Sequence, residues 1–233
     1  MLVQTLTAAC ALTGTGLRRV PSPMMNAPTV PLTDSPAWSK VQGMLDAYPV
    51  FTLANEDEKP LQYEVNGQPM AMFYADVDVA KDQLKAAKGQ NPELKCDIQP
   101  FGLGAAYALS TQGKATLVPG IAELTAAGMP PGLSAVGQEL PLFACMEMKR
   151  ETEEGAELIP LFMSVDDCEE AVKEAREKDA ALQISPLSLS SVVEHLSTLA
   201  DDAQAFDFVA PSRSTTHISS YVGNGIYQRV VDE

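Results

Sequence analysis

The chain states one pattern twice, and two copies of a pattern in one chain must be folded so that they fit each other. The stretch PVFTLANEDEKPLQYEVNGQPMAMFY, Pro49 to Tyr74, returns as PLFACMEMKRETEEGAELIPLFMS, Pro141 to Ser164. Each copy is an apolar phrase, a charged interruption and a second apolar phrase, and a helical pattern follows each. Asp76 is placed to cap the first helix, with Ala80, Leu84 and Ala87 along one face; Ser164 is placed to cap the second, with Cys168, Val172 and Ala175 at the same places, 88 residues on. Ser164 and Asp167 also have capping-box spacing, with Asp where Glu or Gln is usual. Next, CDIQPFGLGAAYAL from Cys96 answers LQISPLSLSSVVEHL from Leu182: Ile98 matches Ile184, Pro100 Pro186, Leu103 Leu189, Ala106 Val192 and Tyr107 Val193, all 86 apart. Apolar spacing of three and four behind the proline marks a short amphipathic helix after a strand. Finally TLVPG at Thr116 answers FVAPS at Phe208.

Each half, of about 70 residues, is marginal as an independent fold, whereas two packed together can share one core. The alternation of strand and helix signals predicts an α/β fold: a pseudo-two-fold duplicated body of mixed sheets with flanking helices, plus an extended N-terminal arm. The expected boundaries are an arm or targeting-like segment over 1–37 and a body over 38–233. The body divides into repeats 47–119 and 139–211 and a C-terminal tail 212–233. Between the repeats, GIAELTAAGMPPGLSAVGQE reads as a helix stopped at Gly128, then a Pro130-Pro131 connector.

From Met1 to Thr33 the only charges are Arg18 and Arg19 in a stretch rich in Thr, Ala, Leu, Ser, Met and Pro. Arginine with Ser and Thr and no acid is the composition of an organelle-targeting segment. Pro21, Pro23, Pro28, Pro31 and Pro36 remove backbone donors and fix φ, so extended chain is expected from Val20 to Pro36. Such an arm has no core of its own and is suited to lying along a partner.

The net charge of −15 opposes a general role on nucleic acid or an anionic bilayer and favours basic partners. No window approaches the ~20 consecutive apolar residues of a membrane-spanning helix. Cys10, Cys96, Cys145 and Cys168 are far apart, with neither zinc-knuckle nor dithiol spacing, and read as buried thiols.

Chemistry is sparse. A hydrolase needs a nucleophile beside a base, and the two histidines are His195, on a helix whose apolar face is Val192, Val193 and Leu196, and His217, in a polar tail. The GLG at Gly102 lacks the third glycine and following acid of a dinucleotide loop, and QGK at Gln112 has no phosphate-loop frame. Glu56-Asp57-Glu58, Glu151 with Glu153-Glu154, and Asp166-Asp167 with Glu169-Glu170 lack the spaced ligands and glycine of a calcium loop, and read as solvated tips and helix starts. Met70, Met72, Met146, Met148 and Met163 fall in or beside the apolar strands, where flexible thioethers fill a core or line an adaptable groove. No catalytic or metal site is expected, no cofactor is required, and no cofactor-binding residue is assigned.

With those residues in view, PVFTLANEDEKPL, MAMFYADVDVAKDQL, IQPFGLGAAYAL, LPLFACME and IPLFMSVDDCEEAVKEA together resemble the Tic twenty-two-like family over Ala47 to about Pro211. These are soluble proteins associated with protein import at the chloroplast inner envelope. The resemblance implies a non-enzymatic α/β protein built from two related halves, with apolar protein-binding surface and a plastid address. The insert KRETEEGAE and the tail SRSTTHISSYVGNGIYQRVVDE depart from the family pattern.

Two binding functions follow, and an enzyme stands as a remote third. The arm and the unmatched tail favour a peripheral linker or scaffold subunit, since chain with few internal contacts takes its order from a partner. Its expected setting is a plastid membrane assembly at the thylakoid surface, such as photosystem I with its light-harvesting antenna, and contact with a chlorophyll fits that setting. The alternative is a chaperone-like component of preprotein import in the envelope intermembrane space, with exposed apolar grooves between the halves.

Overall fold

The computed structural model describes residues 33, 37–65, 67–151, 155, 157–176, 182–198 and 206–222. The N-terminal arm therefore lies, but for Thr33 and Ala37, outside the described residues. After helix α1 (Trp38–Leu45), the first half runs β1 (Pro49–Asn55), β2 (Gln62–Val65), β3 (Gln68–Tyr74), α2 (Val77–Gln90), β4 (Cys96–Gly102), α3 (Leu103–Thr111) and β5 (Ala115–Val118). Helix α4 (Ile121–Ala126) leads into the connector. The second half repeats the order: β6 (Pro141–Ala144), β7 (Arg150–Glu151), β8 (Glu157–Phe162), α5 (Val165–Arg176), β9 (Ser185–Ser188), α6 (Leu189–Thr198) and β10 (Phe206–Val209), followed by α7 (Ser212–Val222).

The turns into β3 and β8 begin the likeness. Gly67 and Gly155 take φ of 78° and 80°, where a side chain is strained, and they too stand 88 residues apart. Tyr74 pairs with Phe51 on one side of β3 and Val118 on the other; Phe162 pairs with Phe143 and Val209 in the same way. The sheets consequently share one strand order, β4–β1–β3–β5 and β9–β6–β8–β10, with β2 and β7 extending β3 and β8 as hairpins. Both are mixed, since β3 with β5 and β8 with β10 are parallel and the other pairs antiparallel. Pro100 and Pro186 sit on β4 and β9, at the sheet margins where a missing N–H is tolerated.

Burial on both faces explains why β1 and β6 are apolar without alternation. Inward side chains of both sheets, Val50, Phe73, Leu142 and Leu161 among them, meet those of α1, α3 and α6 in one shared core. The halves are joined there by the Tyr48 hydroxyl, which donates to the Leu161 carbonyl, and by the Tyr48 ring, edge-on to Phe208 at 5.2 Å. Outward side chains form two equivalent clusters. Phe51, Leu53, Tyr74, Val77, Ala80, Ile98 and Val118 lie under α2; Phe143, Cys145, Phe162, Val165, Cys168, Ile184 and Val209 lie under α5.

Three details differ from the sequence reading. The pairing places Val209, not Ala210, in the role of Val118, so the last match is 91 residues apart rather than 92. One residue is added after β10; a slip within the strand would have turned every side chain to the wrong face. Ser164 Oγ accepts the Asp167 N–H at 3.2 Å, but the Asp167 carboxylate reaches across to the Ser212 N–H and hydroxyl at 2.8 and 2.7 Å, so no reciprocal capping box forms. The tail begins as helix α7, which docks on the first half: the His217 ring meets Phe51 edge-on at 5.6 Å, and Ile218 packs on the outer cluster. Helix α4, which follows β5 as α7 follows β10, packs in turn on α5 of the second half. The part of the tail in α7 therefore takes its order from within the chain, and residues 223–233 lie outside the described residues.

Candidate functional site

The crossings of α4 and α7 leave a crevice between the halves. Its lining includes three pairs of equivalent residues: Ala75 and Met163, Asp76 and Ser164, Pro119 and Pro211. The first two pairs stand where β3 and β8 end and α2 and α5 begin. Asp76 caps α2, accepting the Asp78 N–H at 2.8 Å, as the sequence spacing predicts. Ala75, Met163, Leu140 and Ser214 form a buried floor, and the half-buried Asp76, Glu123 and Ser164 with exposed Arg213 form the rim. Space for water-sized groups is about 20 Å³, room for one water but not for a small-molecule substrate.

Charge is concentrated at this rim. Arg213 joins three helix N-termini, its guanidinium 2.8 Å from Asp166 on α5 and 3.9 Å from Asp78 on α2. Glu123 lies over Gly120, where an added Cβ would come within 2.1 Å of its Oε2. Burial pushes the Glu123 carboxyl above its ordinary range; its own backbone N–H and Arg213 oppose the shift, while Asp76 and Asp166 add to it. Sequence reasoning singled out Asp76 and Ser164 as caps but missed Glu123, Arg213 and Ser214, which only the crossing helices bring there.

The other singled-out residues are dispersed. His195 is exposed, its ring 6.0 Å from Phe206; His217 rests on Phe51, and burial, then Lys81, lowers its pKa. Gly102 and Gly104 serve packing: a Cβ on Gly102 would strike Asp46, and one on Gly104 would come within 2.6 Å of the Gln42 carbonyl oxygen. Gln112 caps the end of α3, and its side chain accepts a hydrogen bond from Lys114 at 2.8 Å. Asn55 Oδ1 takes the Asp57 and Lys59 N–H groups at 3.0 Å, so Glu56-Asp57-Glu58 forms an Asx-stabilised hairpin tip. Glu151 is on the exposed β7, Asp166 and Asp167 meet α7, and Glu153 and Glu154 lie outside the described residues. Among the described residues no three His, Cys, Asp or Glu side chains are grouped to hold a metal ion, and no helix is long and apolar enough to cross a membrane.

Cys96, Cys145 and Cys168 are buried free thiols, and burial, with a smaller push from Cys145, raises Cys168 to about 11. Cys10 falls outside the described residues. The methionines divide: Met163 floors the crevice, Met72 and Met148 pack beside the outer clusters, Met70 is half-buried, and Met146 is 44% exposed. Other large apolar side chains that stand exposed are Ile121 and Val136, both between the halves in sequence.

No protein-family model matches the chain, and no curated protein matches its sequence. Among solved structures, Tic22 from Plasmodium falciparum is similar over 79% of this chain and 98% of its own, with TM-score 0.65 and 18% identity. Tic22 from Anabaena, described with protein transport, is similar over 78% of this chain and 96% of its own, with TM-score 0.62 and 19% identity. The body thus has the Tic22-like α/β fold that its motifs resemble.

Proposed function

We propose that this chain is a non-enzymatic, protein-binding component of preprotein import, peripheral to the plastid envelope and facing its intermembrane space. The observation that carries this reading is the match over almost the full length of two Tic22 chains, one described with protein transport. Fold alone does not assign a function, but the character of the surface agrees. The crevice has room for about one water, and exposed Ile121, Val136 and Met146 offer apolar contact. This reading requires no cofactor. The thylakoid linker has less support, because the first turns of the tail, α7, dock on their own chain and one of the two Tic22 structures is described with protein transport.

The test is site-specific photo-crosslinking from position 121 or 146 in isolated plastids during import of a radiolabelled preprotein arrested at the envelope. Adducts between this chain and the arrested preprotein are expected. Adducts only with photosystem or antenna subunits would overturn the import reading in favour of the linker.

A further inference from the structure

The crossing helices cover the two outer layers unequally. Helix α7 has 11 residues, whereas α4, its counterpart, stops at Ala126 after six. The later turns of α7 seat His217 edge-on against Phe51 and place Ile218 on the cluster that contains Val77 and Ile98, with Lys81 and Asp97 near the histidine. In the second half those five places belong to Phe143, Val165, Ile184, Glu169 and Gln183. All five line an open groove of about 420 Å³ that starts at Ala126, where α4 ends. Val77 and Ile98 are 0% and 3% exposed, but Val165 and Ile184 are only half-buried. Among the described residues no helix fills on the second half the place that the end of α7 fills on the first.

Charge at the rim narrows the occupant. Lys81 of the first half is replaced by Glu169. On α5, Lys173 pairs with Glu170 at 3.6 Å and Arg176 donates to the Leu182 carbonyl at 3.2 Å, so both cations of that helix are engaged. Glu169 is exposed at the groove with no ion pair among the described residues. We propose that this groove binds a short basic amphipathic helix of a partner polypeptide, with apolar side chains on Phe143 and Ile184 and a lysine or arginine beside Glu169. A helix is what α7 supplies at the equivalent place, and the net charge of −15 favours a basic one. This proposal rests on the protein-binding function above and specifies what kind of segment is held.

The probe is a synthetic peptide of leucine and lysine, about 18 residues long so as to be helical alone, with leucines spaced three and four apart. It is titrated into the isotopically labelled full chain and followed by amide NMR. The references are the same peptide with serine for leucine, and one with glutamate for lysine. Saturable shifts are expected at Phe143, Val165, Glu169 and Ile184, and none at Phe51, Val77, Lys81 and Ile98, where α7 already sits. Ile184→Asp should weaken binding about tenfold or more, and Glu169→Lys about threefold, while Lys81→Glu leaves it unchanged. The variants are checked for folding by the same spectra. Equal shifts in the two halves, binding matched by either reference peptide, or affinity indifferent to Glu169→Lys would overturn the site. Preprotein adducts without peptide binding would remove the groove and leave the import function standing, and peptide binding in the groove without adducts would do the reverse.

Discussion

The two halves agree on their inner faces and differ on their outer ones. Toward the shared core, Val50, Phe73 and Leu103 of the first half face the task of Leu142, Leu161 and Leu189 of the second. Beneath α2 the outer layer has Leu53, Tyr74 and Ala80; beneath α5 the same places hold Cys145, Phe162 and Cys168. The entry to α3 differs as well. There α1, which has no counterpart before β6, presses on Gly104 through the Gln42 backbone, whereas Ser190 occupies the equivalent place in α6. Each of these helices is capped by an acid preceding the first strand of its half, Asp46 to the Ala105 N–H at 3.1 Å and Glu139 to the Ser190 N–H at 2.8 Å. The lesson is that packing between the halves limits change on the inner face, while each outer layer answers only to its own helix and the one that crosses to it.

Phe73→Ala should break this arrangement most severely. Its ring is fully buried and 4.9 Å from Phe101, so a loss of about 3–5 kcal/mol is expected in denaturant unfolding, as one transition and not two. Gly104→Ser copies the second half into the first. Its Cβ would meet Gln42 backbone atoms at 2.6 and 2.9 Å, and a cost of about 1–3 kcal/mol is expected, with the reciprocal Ser190→Gly nearer neutral in the same assay.

Gly67→Ala and Gly155→Ala probe a feature the halves share. Both φ values are positive, so each substitution should cost about 1 kcal/mol, and unequal costs would show that the two hairpins contribute differently. Glu123→Gln gives the smallest effect and tests the join between the halves. Because the folded pKa is raised above the ordinary 4.5, the folded state holds its proton more tightly, and stability is lost as pH rises from there through the folded value. The Gln variant should therefore melt higher than the parent at pH 7, with the difference closing below pH 4. A lower melting temperature at pH 7 would mean that ionised Glu123 stabilises the crevice.

Much of the fold was legible because its signals are local. Asp76, Ser164, Gly128 and the spacing around Leu103 and Leu189 each mark a boundary that short-range physics imposes, and their fixed separations exposed the duplication. The pair Gly67 and Gly155 carried the same signal unread. Helix α7 was hidden because Ser212 to Ser220 is rich in Ser and Thr, which compete with the helical backbone, and the half-buried Ile218 gives no apolar stripe there. The crevice was not legible at all. Asp76, Glu123, Met163 and Ser214 are brought together by crossings of α4 and α7 that no spacing in the sequence encodes.

Whether the two copies are one folding unit is tested most directly by native-state hydrogen exchange, comparing the amides of β1, β3 and β4 with those of β6, β8 and β9. A shared core predicts the same highest opening free energy in both sheets, shifted equally by Phe73→Ala. Two distinct values, with the second sheet keeping its protection in that variant, would contradict it.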